Sequence, residues 1–214
     1  VYKGLPIDDR SPLEIITTPR PQPSKPRNRY IYYPHTADVP ESVAVNIRGR
    51  SYTIAAGVVI DKTEAEGVLF AHGSGLGGHS LYIKDRKLHY VYNWLGVDIQ
   101  KITSDVEIPT GRHIFSAEFQ KTGQDPQTRS FLGTLNLYID NKKVGEAKIK
   151  TQPGRFSIAG DGLCVGRDSG SPVSPDYEPP FAFTGGAIEK VAVDVSGELF
   201  VDHEKEVAAW IMKD

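Results

Sequence analysis

Tyr52-Thr53-Ile54-Ala55-Ala56-Gly57-Val58-Val59-Ile60 sets a larger apolar residue at every second position, with smaller or polar partners between. Successive side chains of a strand point to opposite faces, so this spacing predicts a half-buried β-strand with one face on a core. The same period recurs in Phe115, Ala117 and Phe119, in Leu135, Leu137 and Ile139, and in Val191, Val193 and Val195. Turn signals at Asp85-Arg86, Pro109-Thr110-Gly111 and Asp140-Asn141-Lys142 separate the runs, and no helical pattern lies between them. Strands that follow each other without helices predict an antiparallel β-sandwich. With many strands over roughly 150 residues, a jelly roll fits better than a small barrel.

Both flanks differ from this centre. Eight of the fifteen prolines fall before residue 41, where a missing amide donor and a restricted predecessor exclude a helix or a central strand. Residues 1–40 are therefore expected to be an extended proline-rich arm, carrying Arg20, Lys25, Arg27 and Arg29 as a solvated linker rather than an anion site, with a β-sandwich domain over 41–214. At the other end Asp202 can cap a helix over about 202–212, whose Val207, Trp210 and Ile211 share one stripe.

The 214 residues are 39% hydrophobic and 24% charged, with a formal net charge of -2, the balance of a water-soluble globular chain. So little net charge gathers no phosphates, which disfavours nucleic acid as a partner. No apolar run approaches the roughly 18–20 residues of a transmembrane helix, and membrane insertion is not expected. The single cysteine, Cys164, excludes a disulfide scaffold or a Cys-rich zinc cage. The chain begins at Val1, its one methionine is Met212, and no signal segment is seen, so it is read as a piece of something longer.

The candidate chemistry is sparse. Gly73-Ser74-Gly75-Leu76-Gly77-Gly78 satisfies G-x-G-x-x-G, but it lies between two strands rather than before a helix, so a hairpin is preferred to a phosphate cradle. Ser80 lacks the glycine two residues on that a hydrolase nucleophile elbow needs. The spacings of His72, His79 and His89 match no zinc motif, and no metal site is assigned. None of the twelve glutamates is followed two residues later by aspartate, which argues against a glucanase pair. Leu88, Tyr90, Tyr92 and Trp94 share one strand face: core is preferred, with Tyr92 and Trp94 as the alternative sugar platform. A proline-rich loop after Gly166 brings Arg167, Asp168, Asp176 and Tyr177 forward as an interdomain or ligand rim; calcium there is weighed below plain packing.

Several blocks carry a family resemblance. Leu5-Pro6-Ile7-Asp8-Asp9-Arg10, Arg29-Tyr30-Ile31-Tyr32-Tyr33-Pro34, Gly67 through Gly73, Gly77-Gly78-His79, Leu163 through Gly170, and Phe183-Thr184-Gly185-Gly186 through Glu198 are similar to the C-terminal domain of bacterial arylsulfatases of the alkaline-phosphatase-like superfamily. The resemblance implies a parent sulfuric ester hydrolase using formylglycine beside a divalent cation. Its Cys/Ser-x-Pro-x-Arg signature is missing: Cys164 is followed by Val165-Gly166-Arg167. No catalytic residue carries over, and the chain alone is expected to be inactive on aryl sulfates, with no cofactor of its own.

The expected role is thus a concanavalin- or laminin-G-like accessory domain packing on a catalytic sulfatase domain and shaping access for a sulfated substrate. The alternative is a free-standing carbohydrate-binding, lectin-like module. An independent hydrolase has the least support.

Overall fold

In the computed structural model, which describes residues 27–156 and 161–197, the stretch from Tyr52 to Ile60 is a strand whose residues alternate without a break between buried and half-buried. It is β2 of eleven strands: β1 (Arg29–Tyr32), β2 (Tyr52–Ile60), β3 (Gly67–Ser74), β4 (Gly77–Lys84), β5 (Lys87–Trp94), β6 (Asp98–Thr103), β7 (Gly111–Gln124), β8 (Phe131–Ile139), β9 (Lys142–Thr151), β10 (Leu163–Val165) and β11 (Gly186–Asp194). They form a six-stranded sheet, β1-β11-β2-β7-β8-β9, and a five-stranded sheet, β10-β3-β4-β5-β6, antiparallel throughout. The inward faces meet in one core, where Phe70, Tyr90, Tyr92, Phe115, Phe119 and Ile54 are all but sealed from water. No helix occurs among the described residues; the helix expected over 202–212 lies outside them, as does the arm before residue 27.

The part of the arm that is described needs a correction. Arg29–Tyr32 pairs with β11 as an edge strand, Arg29 bridges Asp194 at 2.8 Å, and Val39 exchanges two backbone hydrogen bonds with Leu163 at 2.8 and 2.9 Å. Residues 29–40 are therefore built into the sandwich rather than strung outside it. Proline forbids a central position, but Arg29-Tyr30-Ile31-Tyr32 contains none, and an edge strand needs partners on one side only. The opposite edge, β9, carries Lys142, Lys143, Lys148 and Lys150, charges that discourage further strand addition.

Strands β3, β4 and β5 are buried at nearly every position, on both faces. An antiparallel sheet with one wet face would alternate. The reason is the segment from Gly166 to Thr184, which lies over the outer face of the five-stranded sheet and packs Tyr177 and Phe181 on Val68, Ala71, Tyr82 and Val91.

Candidate functional site

The residues expected at a rim form the inside of that cover. The Tyr177 hydroxyl donates to Asp168 Oδ2 at 2.6 Å and lies 3.0 Å from Ser80 Oγ; the same carboxylate oxygen accepts from the Val173 amide at 2.9 Å. Burial pushes the Asp168 carboxyl up from its ordinary value, and burial followed by the Asp168 charge pushes the Tyr177 phenol up. Asp176 accepts from Tyr82 and Lys101, while Lys84 donates to its carbonyl. Arg167 reaches the Thr36 carbonyl at 3.0 Å and pairs with Asp38. Asp168 and Tyr177 are thus buried braces, which corrects their placement at an exposed rim; only Arg167 and Asp176 keep part of their surface. In both aspartates the Oδ2 oxygen already accepts two hydrogen bonds, one of them at Asp176 from an ammonium.

Tyr92 is core, as preferred, which corrects the alternative that made it a sugar platform. It is buried, and its hydroxyl accepts from the Gln152 amide at 2.8 Å. Leu88, Tyr90, Tyr92 and Trp94 do share a face, but that face meets the other sheet. Trp94, at the open end, is half-buried, donates from its indole to Ser130 Oγ at 3.1 Å, and has Lys150 Nζ 4.3 Å above its ring.

The three histidines do not converge. His72 and His79 are cross-strand partners whose rings lie 5.7 Å apart inside the core. His89 is on the outer face of its sheet, stacked on Tyr82 and bonded to Thr103 and the Lys84 carbonyl. No group of three potential metal-binding side chains occurs among the described residues.

Cys164 is buried beside Ser169 and Asp38, and burial pushes its thiol up. It lies on the covered outer face, opposite Ala71, while Leu163 and Val165 enter the central core. Native protein is expected to label with a thiol reagent far more slowly than protein in denaturant; equal rates would place this strand wrongly.

Two sheets have four faces. Two make the core, one is covered by the 166–184 segment, and among the described residues one stays open: the outer face of the six-stranded sheet. Its central rows run across four strands, Thr53, Glu118, Asn136 and Glu146 in one and Ala55, Ser116, Tyr138 and Lys143 in the next. Gln120, Thr134 and Lys148 continue the pattern beside them. Gln120 Nε2 donates to Glu118 Oε1 at 3.2 Å. Burial and then the Glu118 carboxylate push the Tyr138 phenol up. Asn136 is only 6% exposed, yet its side-chain oxygen has no hydrogen-bond partner. Such an acceptor costs about 1–3 kcal/mol unless something donates to it. Three ion pairs lie on or beside this face, Arg29 with Asp194, Arg112 with Glu189 and Lys143 with Glu146.

Sequence reasoning missed this face. It followed Leu135, Leu137 and Ile139 inward and passed over Thr134, Asn136 and Tyr138, which the same period turns outward. The signal was present: residues able to hydrogen-bond at every other position of two paired strands.

No family model and no curated protein matches the chain. Among solved structures it is similar to a chain described as NanB plus Optactamide, with a TM-score of 0.54 at 13% identity, over 85% of this chain and 27% of that one. The fold is a jelly-roll β-sandwich. It also aligns with the CBM40 of the Ruminococcus gnavus IT-sialidase bound to α2,3-sialyllactose (TM-score 0.45, 14% identity, 75% of this chain and 82% of that one) and with mouse laminin α1 domains LG4-5 (0.47, 10%, 89% and 47%). At these identities the likeness concerns the fold alone. The arylsulfatase resemblance rests on its sequence blocks. Three of these, Gly67 to Gly73, Leu163 to Gly170 and Phe183 to Gly186, meet in space: β10 pairs with β3, and the Phe183 amide donates to the Gly166 carbonyl at 2.9 Å. They encode the covered side of the sandwich.

Proposed function

We propose that this chain is a carbohydrate-binding, lectin-like module that holds glycans against the outer face of its six-stranded sheet. The supporting observation is the buried, unpartnered oxygen of Asn136 on an open face that also presents Glu118, Thr134, Gln120 and the Tyr138 ring. A sugar offers hydroxyls that donate and accept and a C–H surface that lies on an aromatic ring; amide, carboxylate and hydroxyl groups beside a tyrosine match both. The ion pairs on or beside the face give an anion little advantage, so neutral glycans are expected to bind at least as well as sulfated ones.

The test is calorimetric titration with neutral and sulfated oligosaccharides, preceded by a glycan array to choose them. Tyr138→Ala and Asn136→Ala are each expected to weaken binding about tenfold or more. An array with no positive, or variants that bind like the parent protein, would defeat the reading; melting curves show whether the variants remain folded.

The arylsulfatase relation is proposed beside it, on the sequence blocks alone. In that case a catalytic sulfatase domain is the covalent partner, and the module holds a glycan substrate near it. A Cys/Ser-x-Pro-x-Arg motif several hundred residues upstream in the reading frame would support the relation, and an unrelated upstream sequence would end it.

A further inference from the structure

At one end of the sandwich the β3–β4 and β5–β6 turns touch. The Gly75 carbonyl accepts from Asn93 Nδ2 at 3.0 Å, and a Cβ built on Gly96 would lie 3.0 Å from that carbonyl oxygen and 3.5 Å from Leu76 Cα. The Leu95 amide is held by Gln152 Oε1 at 3.3 Å, and the Gly96 amide by Asn93 Oδ1 at 2.8 Å. From these tethered tips project Leu76, Leu95 and Val97, exposed by 65%, 45% and 79%, with Ile99 beside them at the start of β6.

Leu95 (φ 56°) and Gly96 (φ 70°) are the central pair of a two-residue turn closed by the Val97 amide on the Trp94 carbonyl. That left-handed pair favours Asn-Gly, and a bulky leucine in its first place is disfavoured. The turn thus gives up local stability to present an apolar side chain to water.

We infer that these tips are a docking point for an anionic lipid surface, independent of the glycan face. The four residues expose roughly 400 Å² of apolar area, too little for a second copy of the chain, since stable protein interfaces need about 800 Å² on each partner. Aliphatic tips have no donor or acceptor for a sugar. They do suit the boundary between headgroups and acyl chains, which takes protruding apolar groups with an aromatic and cations behind them. Trp94 stands in that position, with Lys150 over its ring. Asp98 is paired with Lys150 at 2.9 Å, and Asp125 accepts from the Gln127 and Thr128 amides. The contact is peripheral.

The test is co-sedimentation of the full chain with phosphatidylcholine vesicles, with and without phosphatidylserine. The chain is expected to sediment with the phosphatidylserine vesicles, and the double variant Leu76→Ser/Val97→Ser to lose at least about tenfold in binding. Leu95→Asn separates structure from function: it suits the turn, so its melting temperature is expected to rise while vesicle binding falls. The inference is overturned by an absence of sedimentation with either vesicle or by a double variant that binds unchanged. It is equally overturned if sedimentation velocity finds a dimer that the double variant abolishes, which would assign the tips to a second copy.

Discussion

Lowering the pH from 7 to 4.5 is expected to remove about 2.5 kcal/mol of folding stability through His72 alone, with a further loss through His79. Both rings are sealed between the sheets among Tyr52, Phe70, Tyr90, Tyr92 and Phe156. Neither His72 nitrogen nor His79 Nε2 has a hydrogen-bond partner; His79 Nδ1 lies 3.2 Å from the Tyr90 hydroxyl, itself 2.7 Å from that of Tyr52. Burial, then the nearby Arg48 charge, pushes His72 down to about 3, and burial, then His72, lowers His79 well below its ordinary value. In the unfolded chain both titrate near 6.5. Below that pH the unfolded state binds protons that the folded state refuses, so stability falls as pH falls, by about 1.4 kcal/mol per unit for each ring, until the folded pKa is reached. His113 works the other way, since Asp140 raises its pKa, but it is near the surface and its contribution is small. The lowered carboxylates Asp125, Asp140 and Asp194 act below the histidine window. Against a typical stability of about 5–15 kcal/mol, such a loss is a large fraction of what keeps the domain folded. Urea titrations between pH 7.5 and 4.5 measure the slope, and His72→Leu/His79→Phe should flatten it. A parent protein equally stable across that range would show that the pair is hydrated or partnered.

The second large effect is expected from Gly73→Ala, a loss of about 3 kcal/mol or more. Gly73 has φ 106°, and a Cβ there would lie 2.3 Å from the Gly77 carbonyl oxygen and 2.9 Å from Phe156 Cβ. Both obstacles are close to the chain, and Phe156 closes the core over His72 and His79, so neither can yield cheaply. Gly154→Ala is the control: its Cβ would meet nothing within 4 Å, and its φ is unexceptional. That variant should melt within a few degrees of the parent. Equal melting of the two variants would mean that the hairpin tolerates a side chain where the geometry forbids one.

These glycines show how far local sequence reaches. G-x-G-x-x-G between two apolar runs was legible as a hairpin, because a phosphate cradle needs a helix N-terminus and no helical period follows. The β-sandwich was legible for the same reason: alternation in Tyr52–Ile60 and its counterparts is a property of the strand itself, independent of what the strand meets.

Alternation says that a strand has two different faces, but not what lies against either. Leu88, Tyr90, Tyr92 and Trp94 were correctly placed on one face, yet only the arrival of the other sheet made Tyr92 core. Asp168 and Tyr177 look like surface residues in sequence; they are buried because the loop that carries them folds across β3, β4 and β5, strands about 80 to 110 residues away in the chain. Asn136 and Tyr138 lie on the side of β8 that the sequence reading passed over, and they became the candidate site when every other sheet face was filled. The alternating pattern, the tight turns and the exclusion of proline from central strands are set by neighbours within a few residues, and the sequence by itself determined them. Which face is core, which is covered and which is left open depends on pairings between distant segments, and only the tertiary structure decided it.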